Sequence, residues 1–134
     1  MQREPIMQTH VILTDTAGEL EPRDFVFEGE TAVVMGRASN CQVRLPDPTV
    51  SRRHCQLDSD DEAVWVRDLE SLNGTFVNGH RLGGKHESGA MARPVRRLHD
   101  GDELRLGTRV FRVKLEVVES AESEIDTRPA AGAC

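Results

Sequence analysis

Phe111-Arg112-Val113-Lys114-Leu115-Glu116-Val117 alternates apolar and charged residues without a break. Side chains of a β-strand point to opposite faces with a period of two. The pattern therefore predicts a strand with one face on a core and the other in solvent. Leu104 and Leu106 alternate in the same way just upstream, after the turn-forming His99-Asp100-Gly101-Asp102. These two alternating runs set the pattern sought in the rest of the chain.

Working towards the N-terminus, the same grammar recurs. Thr9–Thr14 predicts a strand ended by Asp15-Thr16-Ala17-Gly18. Asp24–Glu28 and Thr31–Arg37 are two β-rich runs separated by Glu-Gly-Glu, and Cys41–Leu45 is another. Pro46-Asp47-Pro48 then forbids a central strand or a helix. His54–Leu57 resumes β character up to the acidic turn Asp58–Glu62, and Ala63–Leu69 follows. No stretch of ten residues carries helical apolar spacing with caps. Many short strands punctuated by Gly, Pro and Asp predict an all-β sandwich. Residues 1–8 read as a flexible leader and 119–134 as an acidic disordered tail. Residues 83–97 (GGKHESGAMARPVRR) read as a long irregular insertion in which Arg93, Arg96 and Arg97 are candidate partner contacts.

Composition narrows the function. The 134 residues carry a net charge of −6, with 4% aromatic residues and no Tyr, which argues against a nucleic-acid-binding protein. No apolar run approaches the roughly 20 residues that cross a bilayer, and no apolar signal-peptide core opens the chain. Cys41, Cys55 and Cys134 make an odd count without a CxxC pair, as suits a reducing compartment. The expected location is cytoplasmic. The histidines and cysteines show no metal-ligand spacing, and no cofactor is called for.

Enzyme-like patterns fail on inspection. Gly79-His-Arg-Leu-Gly-Gly84-Lys85 approaches P-loop spacing, but His86 stands where magnesium needs Ser or Thr. Ser51, His54 and Asp68 spell a triad without a nucleophile elbow. Asn73-Gly74-Thr75 is a glycosylation acceptor only in a secreted protein. What remains is a set of anion-binding groups at predicted strand ends: Gly36-Arg37, Ser51-Arg52-Arg53-His54, and the Asn73-Gly74-Thr75 loop. Between Gly36 and His54 four arginines (37, 44, 52 and 53) face one acid, Asp47. A phosphate asks for a guanidinium fork, a hydroxyl and backbone N–H groups. On residues alone a second reading stands beside this one, in which the arginines are solvated faces and both Asn-Gly pairs are plain turns.

Four blocks in order carry a resemblance: Gly36-Arg37; Val50-Ser-Arg-Arg-His54; Asp68-Leu-Glu-Ser-Leu-Asn-Gly-Thr75-Phe-Val-Asn-Gly79; and Leu98-His-Asp-Gly-Asp102-Glu-Leu-Arg-Leu-Gly107. Together they resemble the forkhead-associated (FHA) domain over about residues 9–118. The resemblance implies a twisted sandwich of about eleven strands with ligand loops at one end. It also implies a non-catalytic module that docks phosphothreonine-containing proteins or peptides in a Ser/Thr kinase pathway. The phosphopeptide-binding positions it implies are Arg37 and Ser51 for phosphate, Asn73 for the peptide main chain, Arg52 for added charge, and Leu72. Leu72 stands where many members carry Ser or Thr, so only its backbone N–H is expected to serve phosphate. Gly36, His54, Gly74, Thr75 and Asn78 are implied as structural support of the site, with Asn78-Gly79 making the turn. The competing function is a phospho-independent protein-interaction or assembly domain. Thr127, in the acidic tail, is a candidate autoregulatory phosphosite.

Overall fold

A computed structural model describes residues 6–16, 24–60, 62–83 and 95–120. Among them eleven strands and no helix are found, arranged as two sheets. The strands are β1 (Ile6–Asp15), β2 (Asp24–Glu28), β3 (Thr31–Gly36), β4 (Val43–Arg44), β5 (Cys55–Ser59), β6 (Val64–Asp68), β7 (Thr75–Val77), β8 (His80–Gly83), β9 (Val95–Leu98), β10 (Glu103–Leu106) and β11 (Arg109–Ser120). One sheet has the order β2-β1-β11-β10-β7-β8, the other β4-β3-β5-β6-β9.

The alternating stretch behaves as its pattern dictates over most of its length. Phe111 and Val113 are buried against the other sheet, while Arg112 and Lys114 face solvent. Val117 departs from the pattern and is 63% exposed. The reason lies in the register. β10 pairs with β11 only as far as Arg112, so at Val117 the strand is flanked by β1 alone. The β1–β11 ladder runs from Ile6↔Ser120 to Asp15↔Phe111, so residues 6–8 of the expected leader and 119–120 of the expected tail are paired strand instead.

Val11, Leu13, Val33, Met35, Leu57, Val64, Val66, Leu104, Leu106 and Phe111 interdigitate between the sheets as one core. Several strand ends move relative to the sequence reading. Only Val43–Arg44 of the Cys41–Leu45 run pairs, β5 continues through Ser59 before the turn starts, and β6 stops at Asp68. Gly83 and Val95–Arg97, read as parts of an irregular insertion, lie in β8 and β9. Both are edge strands with exposed polar residues, and that composition hides them from an alternation search. Residues 84–94, the acidic tail beyond Ser120, and Thr127 within it lie outside the described residues.

β7 and β8 form a hairpin closed by Asn78-Gly79, with φ of 52° and 82°. Positive φ at both central residues defines the hairpin turn whose twist matches that of the strands. The Asn78 side chain also grips the start of the neighbouring strand β10. Its Nδ2 donates to Asp102 Oδ1 at 3.0 Å, and its Oδ1 accepts from Glu103 N–H at 2.9 Å.

Candidate functional site

β3 ends at Gly36, and the chain leaves it at Arg37 alongside the segment that carries Ser51. Arg37 N–H donates to Ser51 C=O at 2.9 Å, and Ala38 N–H to Arg52 C=O at 3.0 Å. This approach requires glycine at position 36, because a Cβ there would lie 2.2 Å from Arg52 O. The Arg37 side chain is exposed, yet its Nε is tied to Val50 C=O at 3.0 Å, leaving both terminal nitrogens without a partner among the described residues.

His54 is wholly buried and joins two loops. Its Nδ1 accepts from Ser51 N–H at 3.0 Å, which fixes the tautomer, so Nε2 carries the hydrogen and donates to Gly74 C=O at 2.9 Å. Burial, the largest influence, pushes its pKa below the ordinary 6.5, against the opposing effects of the Gly74 carbonyl and Asp68. A neutral ring matches this geometry, since an added proton would sit between Nδ1 and another donor.

The opposite loop is organised by Asp68, a buried residue at the end of β6. Ser71 Oγ and Thr75 Oγ1 donate to Asp68 Oδ1 at 2.5 and 2.6 Å, and Ser71 N–H to Oδ2 at 2.9 Å. Gly74 N–H in turn donates to Ser71 Oγ at 2.9 Å. A hydrogen-bonded path therefore runs from Asp68 through Ser71, Gly74 and His54 to Ser51.

Two further bonds close the site. Leu72 N–H donates to Ser51 Oγ at 2.9 Å, so this N–H, expected to serve phosphate, is already engaged. With one lone pair of Ser51 Oγ occupied in this way, its hydroxyl hydrogen is left to donate elsewhere. Asn73 Nδ2 donates to Thr49 C=O at 2.8 Å, while Oδ1 has no partner among the described residues. The Leu72 side chain stands 53% exposed beside these groups.

Thr49 is itself held from below. Its N–H and Oγ1 donate to Asp47 Oδ1 at 2.8 and 2.6 Å, and Thr108 N–H donates to Thr49 Oγ1 at 2.9 Å. Asp47 lies 3.7 Å from Arg109, which also pairs with buried Asp15 at 3.2 Å. The hydrogen bond from Thr49 Oγ1 is the leading cause holding Asp47 below the usual carboxylate value.

Arg37, Ser51 and Asn73 thus gather at one edge of the sandwich, with Gly36, His54, Gly74 and Thr75 beneath them. Arg52 follows Ser51 and is exposed. Asn78 is set apart, its side chain engaged with Asp102 and Glu103 and with neither site loop. Asp68, Ser71, Thr49 and Asp47 were missed as site builders. The spacings Asp68-x-x-Ser71 and Asp47-x-Thr49 are local signatures of side chain to backbone hydrogen bonding and were the available signal. Among the described residues no group of His, Cys, Asp and Glu is placed to hold a metal ion. Cys41 and Cys55 are buried free thiols, and Cys41 Sγ donates to Arg52 C=O at 3.2 Å.

The family model for the FHA domain matches residues 33–107, a span that holds every residue of this edge. The chain belongs to the FHA domain family. FHA domain-containing protein FhaA of Mycobacterium tuberculosis is 39% identical over 80 residues, covering 58% of this chain and 13% of that protein. An oxoglutarate dehydrogenase inhibitor of Corynebacterium jeikeium is 41% identical over 54 residues, covering 40% of this chain and 37% of that one. Among solved structures, the FhaA FHA domain complexed with the intracellular domain of a second protein aligns with TM-score 0.61 and 32% identity, covering 79% of this chain and 99% of that one. An FHA domain studied for phosphothreonine-dependent interactions aligns with TM-score 0.63 and 29% identity, covering 81% of this chain and 97% of that one. The shared FHA fold is an all-β sandwich, in agreement with the two sheets found here.

Proposed function

We propose that this chain is a binding module that docks partner proteins through a phosphothreonine-bearing segment and carries out no reaction on it. The observation that carries this reading is the convergence of two donors and one acceptor on one preorganised edge. Arg37 offers terminal guanidinium nitrogens, Ser51 offers an O–H directed away from Leu72, and Asn73 offers Oδ1 to a peptide N–H. Arg52 adds positive charge at the rim.

A phosphothreonine dianion needs charge-assisted donors from several directions, and the loops here are held in place before the ligand arrives. The solved relative named for phosphothreonine-dependent interactions supports the same ligand class. A Ser/Thr kinase would generate the docking signal, and a cytoplasmic setting agrees with buried free thiols.

Calorimetric titration with a phosphothreonine peptide library tests the assignment of Arg37. Loss of a charge-assisted hydrogen bond costs about 1.5–3 kcal/mol, so Arg37→Ala should weaken affinity tenfold or more. Unchanged affinity in that variant would remove Arg37 from the site.

A further inference from the structure

Beside the phosphate-facing edge lies an open depression of about 710 Å³ whose lining includes Arg37, Arg44 and Arg52, with Pro46 and Pro48 among its other residues. Arg44 comes from β4, whose parallel pairing sets it opposite Gly36 and so next to the root of Arg37. The guanidinium groups of Arg44 and Arg52 have no hydrogen-bond or ion-pair partner among the described residues. The one acid in the lining, Asp47, is turned to Thr49, Thr108 and Arg109. Three guanidiniums therefore share one concavity in a chain whose net charge is −6.

The unpaired guanidiniums set the ligand. A phosphothreonine of about −1.5 to −2 charges seated at Arg37 and Ser51 takes its donors there, and Arg44 and Arg52 are left with no acidic partner among the described residues. We propose that the cognate segment carries a second acidic group, a carboxylate or a second phosphate, which seats at Arg44 beside Arg52 while the phosphothreonine occupies Arg37 and Ser51. The inference rests on the phosphothreonine reading above and adds Arg44 as a specificity-determining residue. The two prolines have fixed φ and lend the backbone between the arginines little freedom.

The probes are short peptides with one phosphothreonine in a neutral background. Matched sets place a single Asp, or a single phosphoserine, at each flanking position in turn. Titrated into the full chain, one Asp position should strengthen binding about threefold to fivefold at low salt, the size expected of a rim ion pair, and lose that gain at high salt. A larger gain from phosphoserine than from Asp at that position identifies the second phosphate as occupant, and an equal gain the carboxylate. Arg44→Gln should bind the acidic and neutral peptides alike, at the affinity of the wild type for the neutral one. Arg44→Glu should reverse the preference towards a Lys-flanked peptide, which also shows that the variant is folded.

No gain at any position, or a gain that survives in Arg44→Gln, would overturn the seat while the neutral phosphopeptide still binds and the broader reading stands. Failure of every phosphothreonine peptide to bind would overturn both.

Discussion

At Asn78-Gly79 both residues take positive φ, the strands on either side pair, and the asparagine bonds to Asp102 and Glu103 at the start of β10. At Asn73-Gly74 only the glycine does so, with φ 91°. There the asparagine reaches across to Thr49, and the glycine is bound on one side by Ser71 and on the other by His54. The same dipeptide, five positions apart, makes a turn in one place and part of a binding edge in the other. Local backbone preference is enough to make the second pair a turn, and the bonds to Asp102 and Glu103 then fasten that turn to β10. The first is shaped by residues 20 and 24 positions away, so its conformation belongs to the tertiary structure and not to the dipeptide.

The largest effect should come from removing the residue that ties the first pair to the rest of the site. His54→Ala leaves a cavity and strands the Ser51 N–H and the Gly74 C=O, a cost of about 2–4 kcal/mol. Thermal melting should fall by ten degrees or more, and phosphopeptide affinity should fall with it. An intact melting temperature with lost binding would contradict the bracing role.

Next comes the paired test of the two asparagines. Asn73→Ala should weaken phosphopeptide binding about tenfold with little change in melting temperature, because Asn73 lies on an exposed loop. Asn78→Ala should do the reverse, lowering stability by about 1–2 kcal/mol through the left-handed backbone and two lost hydrogen bonds while leaving affinity intact. If both variants lose binding to the same degree, the distinction between turn and ligand loop fails.

The contrast also marks what could be read from the chain. Strand β11 and the Asn78-Gly79 turn were legible because both are local rules, period-two alternation and positive φ. Arg37, Ser51 and Asn73 were legible as a set only because four motif blocks occur in order. Edge strands β8 and β9 were not legible, since exposed residues such as Arg81, Arg96 and Arg97 carry no alternation. The supports beneath the site were hidden for a different reason. That Asp68 collects Ser71 and Thr75, or that Arg109 meets an aspartate 94 positions earlier, depends on which loops fold onto which. The hydrogen bond from Leu72 N–H to Ser51 Oγ was hidden on the same ground, since it joins residues 21 positions apart.

The smallest predicted effect is on pH dependence. His54 is held below 6.5 in the folded chain, so on acidification the unfolded chain takes up its proton first. Its contribution to stability is intact above about 6.5 and erodes as the pH falls from there towards the depressed folded value. Melting temperature should drop between pH 7.5 and 5.5, and the drop should shrink in His54→Ala. An equal drop in both proteins would place the titrating group elsewhere.

The central claim is that Arg37, Ser51 and Asn73 form one receptor for a phosphorylated residue. Titration of the full chain with a single phosphothreonine peptide from a positive library pool, before and after phosphatase treatment, addresses it directly. The account predicts saturable heat with the phosphorylated form and none with its dephosphorylated twin. Equal affinity for the two would contradict it and leave this edge of the sandwich as a phosphate-blind contact surface.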